Sequence, residues 1–267
     1  MAILEVKDLS IEFSGLKAVQ HLDFSVEQGQ IFGLIGPNGA GKTTVFNMVS
    51  GFLKPTGGEI YLEGQRIDGK YMYETNALGI ARTYQNINLF RQIPVLQNLL
   101  IGQTTRIPYS VLDSFFHTPK YHKAEKAALE KAKAMLDFVG LSHRENDLAQ
   151  SLSYGEQRLL EIARAMVSDP KLLLLDEPAA GMNPTEKASL ADLVLKIRSQ
   201  GVSVLCVEHD MKFVMGITDR ICVLDHGQRI ALGTPEEVQK NPDVIAAYLG
   251  APDDENVIVD AAKLGGA

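Results

Sequence analysis

The chain has little with which to build a disulfide framework or a metal cage. Among its 267 residues are two cysteines, Cys206 and Cys222. They sit in the apolar runs "VSVLCVEHD" and "RICVLDHG", where a free thiol packs as a small hydrophobe. No Cys-x-x-Cys pair or metal-ligand cluster occurs, and His21, His117, His122 and His143 are scattered. A basic excess is also missing. The net charge is −7 and the pI about 5.4, which argues against a non-specific nucleic-acid binder. A local basic groove is not excluded by this. No apolar stretch approaches the ~20 residues that span a bilayer. The start, "MAILEVKDLSIEF", lacks the basic segment and apolar core of a signal peptide. Repeats and sustained heptads are absent. The chain is expected to be soluble, to stay in the cytoplasm and to reach any membrane through partners.

What is present suits a globular α/β chain. Hydrophobic residues make up 45%, an ordinary share. Residues 3–35 show near period-two alternation and predict strands. "KTTVFNMVSGFL" predicts a helix that stops near Gly51 and Pro55. "GGEIYLEGQRI" and "ALGIARTYQ" predict further strands. From Arg91 to about Ala149 the pattern turns helical. "VLQNLLIGQ" and "KAEKAALEKAKAMLDFVG" are the clear helices, the second ending at Gly140. Between them, "TTRIPYSVLDSFFHTPK" reads as a loop with a short helix. After residue 158 helices and apolar strands alternate, which predicts a mostly parallel, covered sheet. "TPEEV" places Thr234 before Pro235 and Glu237, a capping box. Residues 251–267 are expected to form a weakly ordered tail.

The phosphate chemistry begins at "GPNGAGKTT". Gly36, Pro37, Asn38, Gly39, Ala40, Gly41, Lys42, Thr43 and Thr44 fit G-x-x-x-x-G-K-[ST] after an apolar strand and before a helix. Glycines let backbone N–H groups curl around phosphate oxygens. Lys42 suits the β- and γ-phosphates, and Thr43 offers a hydroxyl to Mg²⁺. "LLLLDEP" adds Asp176, a carboxylate at the end of an apolar strand that needs a partner. Mg²⁺ is that partner in phosphate-loop enzymes. Glu177, next in the chain, suits orienting or deprotonating an attacking water. His209 follows the strand "VSVLCV", and Gln85 ends another. Singly, each of these two reads better as an ordinary polar residue. "LSYGEQ" opens a helix, and Ser153 with Glu156 reads as a capping box or as an anion-binding helix start.

Together these motifs resemble the nucleotide-binding subunit of ABC transporters. The resemblance covers about residues 1–250. More narrowly, "GPNGAGKTTVFNMVSGF", "ARTYQNINLFR", "EPAAGMNP", "EHDMKFVMGITDRICVLDHG" and "NPDVIAAYLG" are similar to the ATPase subunits of branched-chain amino-acid importers. The fold it implies is a P-loop NTPase ABC ATPase core with an antiparallel β subdomain and a helical subdomain at about 91–158. It also implies Mg-dependent ATP hydrolysis. By the resemblance Phe13 would stack on adenine, Lys42, Thr43 and Asp176 would hold phosphates and Mg²⁺, and Gln85 would join the metal and link the site to membrane subunits. Glu177 would be the catalytic carboxylate and His209 the switch histidine. Ser153, Tyr154, Gly155 and Glu156 would act in trans, on ATP held by a second ATPase subunit packed head to tail. That partner is a sister chain or a second copy. Two membrane permeases and, indirectly, an extracytoplasmic binding protein complete the expected assembly at the cytoplasmic face of the inner membrane. Phe90, Ile93, Val95 and Leu96 are a candidate permease groove or ordinary packing. Two departures stand out: Tyr154 and Glu156 replace a Gly and the Gln of "LSGGQ", and Asn183 replaces the Asp of "SALD".

Three rival readings differ in testable ways. A lipopolysaccharide-export ATPase keeps the class and changes the cargo. A soluble, non-transport ABC ATPase usually carries tandem cassettes or coiled-coil insertions, which this chain lacks. A small GTPase or kinase lacks a guanine motif here and leaves "LSYGEQ" unexplained.

Overall fold

Alternating apolar residues at the start become two long antiparallel strands, β1 (Ala2–Phe13) and β2 (Leu16–Glu27). Leu4, Val6, Leu9 and Ile11 of the first, and Val19, Leu22, Phe24 and Val26 of the second, are buried. With β4 (Gly57–Leu62) and β5 (Gln65–Arg66) they form a four-stranded antiparallel sheet in the order β2-β1-β4-β5. A six-stranded sheet has the order β10-β9-β3-β8-β7-β6. Its members are β3 (Ile31–Ile35), β6 (Ile80–Arg82), β7 (Leu172–Asp176), β8 (Ser203–Val207), β9 (Arg220–Asp225) and β10 (Gln228–Gly233). All neighbours in it are parallel except β9 and β10. Every residue of β3, β7 and β8 is buried, as a sheet covered on both faces requires.

This computed structural model describes residues 1–104 and 108–249, and the expected tail at 251–267 lies outside them. The chain forms two compact units. One contains Met1–Arg82 and the described residues from Lys171 onward. It holds both sheets and the helices α1 (Lys42–Val49), α2 (Met72–Leu78), α7 (Pro184–Ser199), α8 (Met211–Ile217), α9 (Pro235–Gln239) and α10 (Pro242–Leu249). Helix α2 takes residues that alternation alone left unread. It ends at Gly79, which has φ +113, so the strand expected over "ALGIARTYQ" is confined to β6.

The second unit, Thr83–Pro170, is helical. It comprises α3 (Val95–Gly102), α4 (Val111–Phe115), α5 (Pro119–Phe138) and α6 (Tyr154–Met166). Thr118 caps α5, Pro119 opens it, and Gly140 follows its end at φ +78. Thr234 and Glu237 form the expected box at α9. Cys206 and Cys222 are buried, free thiols. Burial pushes both upward, Cys222 to about 12, which leaves them unreactive. Among the described residues, no helix is long and apolar enough to cross a membrane.

Candidate functional site

Strand β3 delivers the chain into "GPNGAG" and helix α1 takes it away. Gly36 has φ +149, and a Cβ there would stand 2.1 Å from the Leu224 carbonyl oxygen. Only glycine fits such an approach. Pro37 and Ala40 are buried while Asn38 and Gly39 face outward. The Lys42 Nζ donates to the carbonyls of Gly36 at 2.5 Å and Pro37 at 2.9 Å, so the ammonium lies inside the loop. Gly41 precedes α1 and no side chain caps that helix start. The first N–H groups of a helix have no intrahelical acceptor, and its dipole is positive there. Both features favour an anion.

Beside this helix start is a cleft of about 570 Å³, lined by Gly39, Gly41, Lys42, Thr43 and Thr44 on one side. Its other wall contains Leu16, Lys17, Ala18 and His226. The volume falls within the roughly 300–1,000 Å³ of small-molecule sites. Phe13 ends β1, paired with Leu16 across the turn, and is half exposed. It adjoins this wall but is not among the residues that line the cleft.

Strands β3, β8 and β7 are neighbours in the sheet. Their carboxyl ends carry the phosphate loop, His209, and the pair Asp176–Glu177, the edge where open α/β sheets bind ligands. Asp176 is buried, and the Arg82 Nη2 donates to its Oδ2 at 2.9 Å. Arg82 also bonds the Asn47 side chain at 2.7 Å and Ser50 Oγ at 3.0 Å. The carboxylate that the sequence left needing a partner therefore has a protein one. Glu177 takes the left-handed backbone at φ +44, a strain of about 1–3 kcal/mol for a residue with a Cβ. Its N–H donates to the Val207 carbonyl at 2.9 Å. The His209 Nδ1 lies 3.6 Å from Glu177 Oε2, an ion-pair distance when the ring is protonated and too long for a hydrogen bond.

Among the described residues, no group of three or more His, Cys, Asp or Glu is placed to cage a metal. A hydroxyl and one carboxylate, here with an oxygen of Asp176 taken by Arg82, are the kind of protein donors Mg²⁺ uses when phosphates and water supply its remaining ligands. Thr43 and Asp176 are the hydroxyl and carboxylate on offer.

The helical unit carries the other motif residues. Ser153 caps α6: its Oγ accepts from the Glu156 N–H at 3.3 Å, and Glu156 Oε2 accepts from the Ser153 N–H at 2.8 Å. The capping box is thus formed within one chain. Arg144 Nε donates to Glu156 Oε1 at 3.2 Å. Burial pushes the Glu156 carboxyl up, but the Ser153 and Arg144 bonds outweigh it and hold it below the usual range. Gln85 is reached through α6. Arg158, wholly buried, donates to the carbonyls of Tyr84 at 2.7 Å and Gln85 at 2.8 Å and to Glu161 at 2.8 Å. Glu161 in turn accepts from the Asn88 N–H at 3.2 Å. Of the candidate groove, Phe90 is exposed and Val95 fully buried, so Val95 is packing rather than surface.

The comparisons with known proteins bear on all of this. The model described as "ABC transporter" matches residues 19–180. This chain belongs to the ABC transporter family. A second model, "Branched-chain amino acid ATP-binding cassette transporter", matches residues 228–254. The high-affinity branched-chain amino acid transport ATP-binding protein BraF of Pseudomonas aeruginosa is 47% identical over 93% of this chain and 98% of its own length. LivG of Escherichia coli, of like description, is 45% identical over the same shares. A solved ATP-binding cassette of an ABC transporter, in its ADP conformation, has TM-score 0.81 and 35% identity, covering 94% of this chain and 99% of that one.

Several residues that matter to the cassette escaped the sequence reading. Arg82 is one. Glu208 is another: it is fully buried and accepts from the N–H of Ala179 at 2.6 Å and of His209 at 3.1 Å. Burial pushes its carboxyl up against the pull of those bonds. It ties the loop after Glu177 to the backbone of His209. Asn183, the departure in that loop, accepts from the Glu186 N–H at 2.9 Å and caps α7, a task Asn does as well as Asp. Arg158 and Glu161 complete the set. Arg158→Ala would leave Glu161 buried and unpaired, at an expected cost of about 3–5 kcal/mol. A lower urea midpoint and faster hydrogen exchange at residues 84–88 are the readouts. Unchanged exchange there would show that the pair does not hold the Gln85 segment.

Proposed function

We propose that this chain is the ATP-hydrolysing motor of an importer for branched-chain or related amino acids. The observation that carries the reading is the near-full-length similarity to branched-chain transport ATP-binding proteins, joined to a phosphate loop with Lys42 folded into it. Phe13, next to the cleft wall though outside its lining, stacks on the adenine. Lys42 bridges the β- and γ-phosphates, and the α1 start binds their oxygens. Thr43 and Asp176 would hold the metal, and Mg²⁺ there would neutralise charge on the phosphate oxygens. Glu177 takes the proton of the attacking water as its oxygen bonds to the γ-phosphorus, the bond from that phosphorus to the bridging oxygen breaks, and ADP leaves carrying the bridging oxygen. His209 fixes Glu177 and the γ-phosphate relative to each other.

Two such subunits pack head to tail, each ATP meeting one chain's loop and the other's Ser153–Glu156 segment. Arg144 cancels the charge that Glu156 brings to that segment. The second subunit is a sister ATPase or another copy. The pair docks on two permeases at the cytoplasmic face of the inner membrane, and a binding protein outside delivers cargo.

Two measurements test this. Tagged protein, purified from native membranes, should retrieve permeases and support ATP-dependent uptake of a branched-chain amino acid in proteoliposomes. Retrieval of a lipopolysaccharide-export complex would replace the importer with that rival. In the same assembly Lys42→Ala should lower hydrolysis to background with the fold intact. Near wild-type turnover would overturn the phosphate-loop assignment.

A further inference from the structure

Between α3 and the buried half of α5 the helical unit carries an arm with no core of its own. No residue from Pro108 to Lys131 is buried. The arm is nonetheless held in a defined shape by local bonds. Ser110 and Asp113 form a capping box at α4. Thr118 caps α5 and donates to Asp113 at 3.0 Å. The Tyr109 hydroxyl donates to Glu125 at 2.5 Å, and the Tyr109 and Tyr121 rings meet edge to face at 5.1 Å.

These bonds leave the large apolar groups outside. Val111 is 85% exposed, Leu112 69%, Phe115 74% and Phe116 70%. Val111, Leu112 and Phe115 lie on α4 and Phe116 is its C-cap, and the i, i+4 spacings 111/115 and 112/116 give two adjacent apolar rows. Burying one such side chain is worth about 1.5–3 kcal/mol, so displaying four together forgoes a large stabilisation unless a partner covers them.

Charge indicates which partner. The chain as a whole is acidic, at −7, yet the turns beside the patch carry Lys120, Lys123 and Lys126 with His117 and His122, all exposed. The acids among them are engaged: Asp113 by Ser110, Thr118 and Lys120, Glu125 by Tyr109, and Glu130 by Lys126, the two lysine contacts being loose exposed pairs at 3.9 Å. Hydrogen bonds from Ser110 and Thr118 hold Asp113 below the usual carboxylate range. Aromatic and aliphatic tips flanked by lysines are the composition of interfacial segments, in which apolar groups enter below the head groups and each lysine near an anionic surface adds about 1 kcal/mol.

We propose that the α4–α5 arm is a membrane-contact element that binds an anionic lipid surface directly, in addition to any contact the chain makes through permeases. The proposal rests on the reading that the chain works at a membrane face. Its deciding measurement, vesicle flotation, needs neither permeases nor ATP, so the proposal fails or stands independently of the motor assignment.

The probe is vesicles of phosphatidylcholine mixed with phosphatidylglycerol, with pure phosphatidylcholine as control. Full-length protein should float with the mixed vesicles and much less with the control, and added salt should weaken the binding. The triple variant Leu112→Ser, Phe115→Ser, Phe116→Ser and the triple variant Lys120→Gln, Lys123→Gln, Lys126→Gln should each lose at least ~10-fold in partitioning. All six side chains are exposed, so both variants should fold, and both should keep the hydrolysis rate of the parent. Because the chain has no tryptophan, Phe115→Trp supplies a sole reporter whose emission should shift to the blue on mixed vesicles. Equal flotation of parent and apolar variant would overturn the proposal. So would an apolar variant that binds vesicles normally but no longer retrieves permeases, since the patch would then belong to a protein.

Discussion

Glu177→Gln is expected to slow ATP hydrolysis by about 10²–10⁴-fold, the usual contribution of a positioned general base, while ATP still binds. The residues proposed to bind phosphate are elsewhere: Lys42 lies inside the loop, bonded to the Gly36 and Pro37 carbonyls, and the α1 start needs no side chain from the loop after β7. Gln keeps the size of Glu and its backbone requirement at φ +44 is no harder to meet. What disappears is the negative oxygen 3.6 Å from the His209 Nδ1 and with it the acceptor for the water proton. A chain that binds but does not cleave ATP should accumulate as the ATP-bound pair. On size exclusion with Mg-ATP it should therefore elute earlier than with ADP. Hydrolysis at the parent rate would remove Glu177 from the catalytic role. Slow hydrolysis without a larger species would keep the base and remove ATP-driven pairing.

Much of the fold was legible because its signals are local. Gly36 and Gly41 sit where a Cβ would meet the backbone of Leu224 and Ala18, and Gly39 takes a left-handed φ of +81. The nearly continuous apolar runs of β3, β7 and β8 announce strands covered on both faces. Gly140 and the Thr234–Glu237 box mark helix ends by their own chemistry. Helix α2 escaped because it buries only Thr75 and so shows no apolar stripe. The pairings at the site escaped for a different reason. Arg82 and Asp176 are 94 residues apart, and Arg158 reaches the Tyr84 carbonyl across 74. Such partners meet only when sheet order and helix packing are known. Glu208 was hidden by its neighbour: "EHD" drew attention to the histidine, yet the glutamate is the side chain that joins two loops. The candidate groove failed in part because Val95 faces inward, and apolarity alone does not separate core from surface.

Mixing two defective chains should restore one working site. Lys42→Ala removes the loop cation. Gly155→Asp places bulk and charge in the signature segment, where Gly155 is buried in the first turn of α6. The new carboxylate would stand near Glu156, whose own charge is already matched by Arg144, so nothing offsets it, and repulsion of a phosphate is costly. With Glu177→Gln added to both, each protein alone should fail to form an ATP-locked pair. In a head-to-tail dimer the mixture has one doubly damaged site and one intact site, which joins Lys42 of the signature variant to Gly155 of the loop variant. Trapping should then approach about one nucleotide per pair, since a single composite site supplies the coupling between subunits. Where a sister ATPase is the natural partner, the two changes are placed on opposite subunits. Trapping is the better readout than rate, because coupling between sites can suppress turnover with one site whole. If Gly155→Asp protein traps nucleotide as well as its parent, the Ser153–Glu156 box is only a helix cap. If mixing restores nothing although each chain pairs with unmodified partner, each ATP is held by a single chain and the head-to-tail arrangement falls.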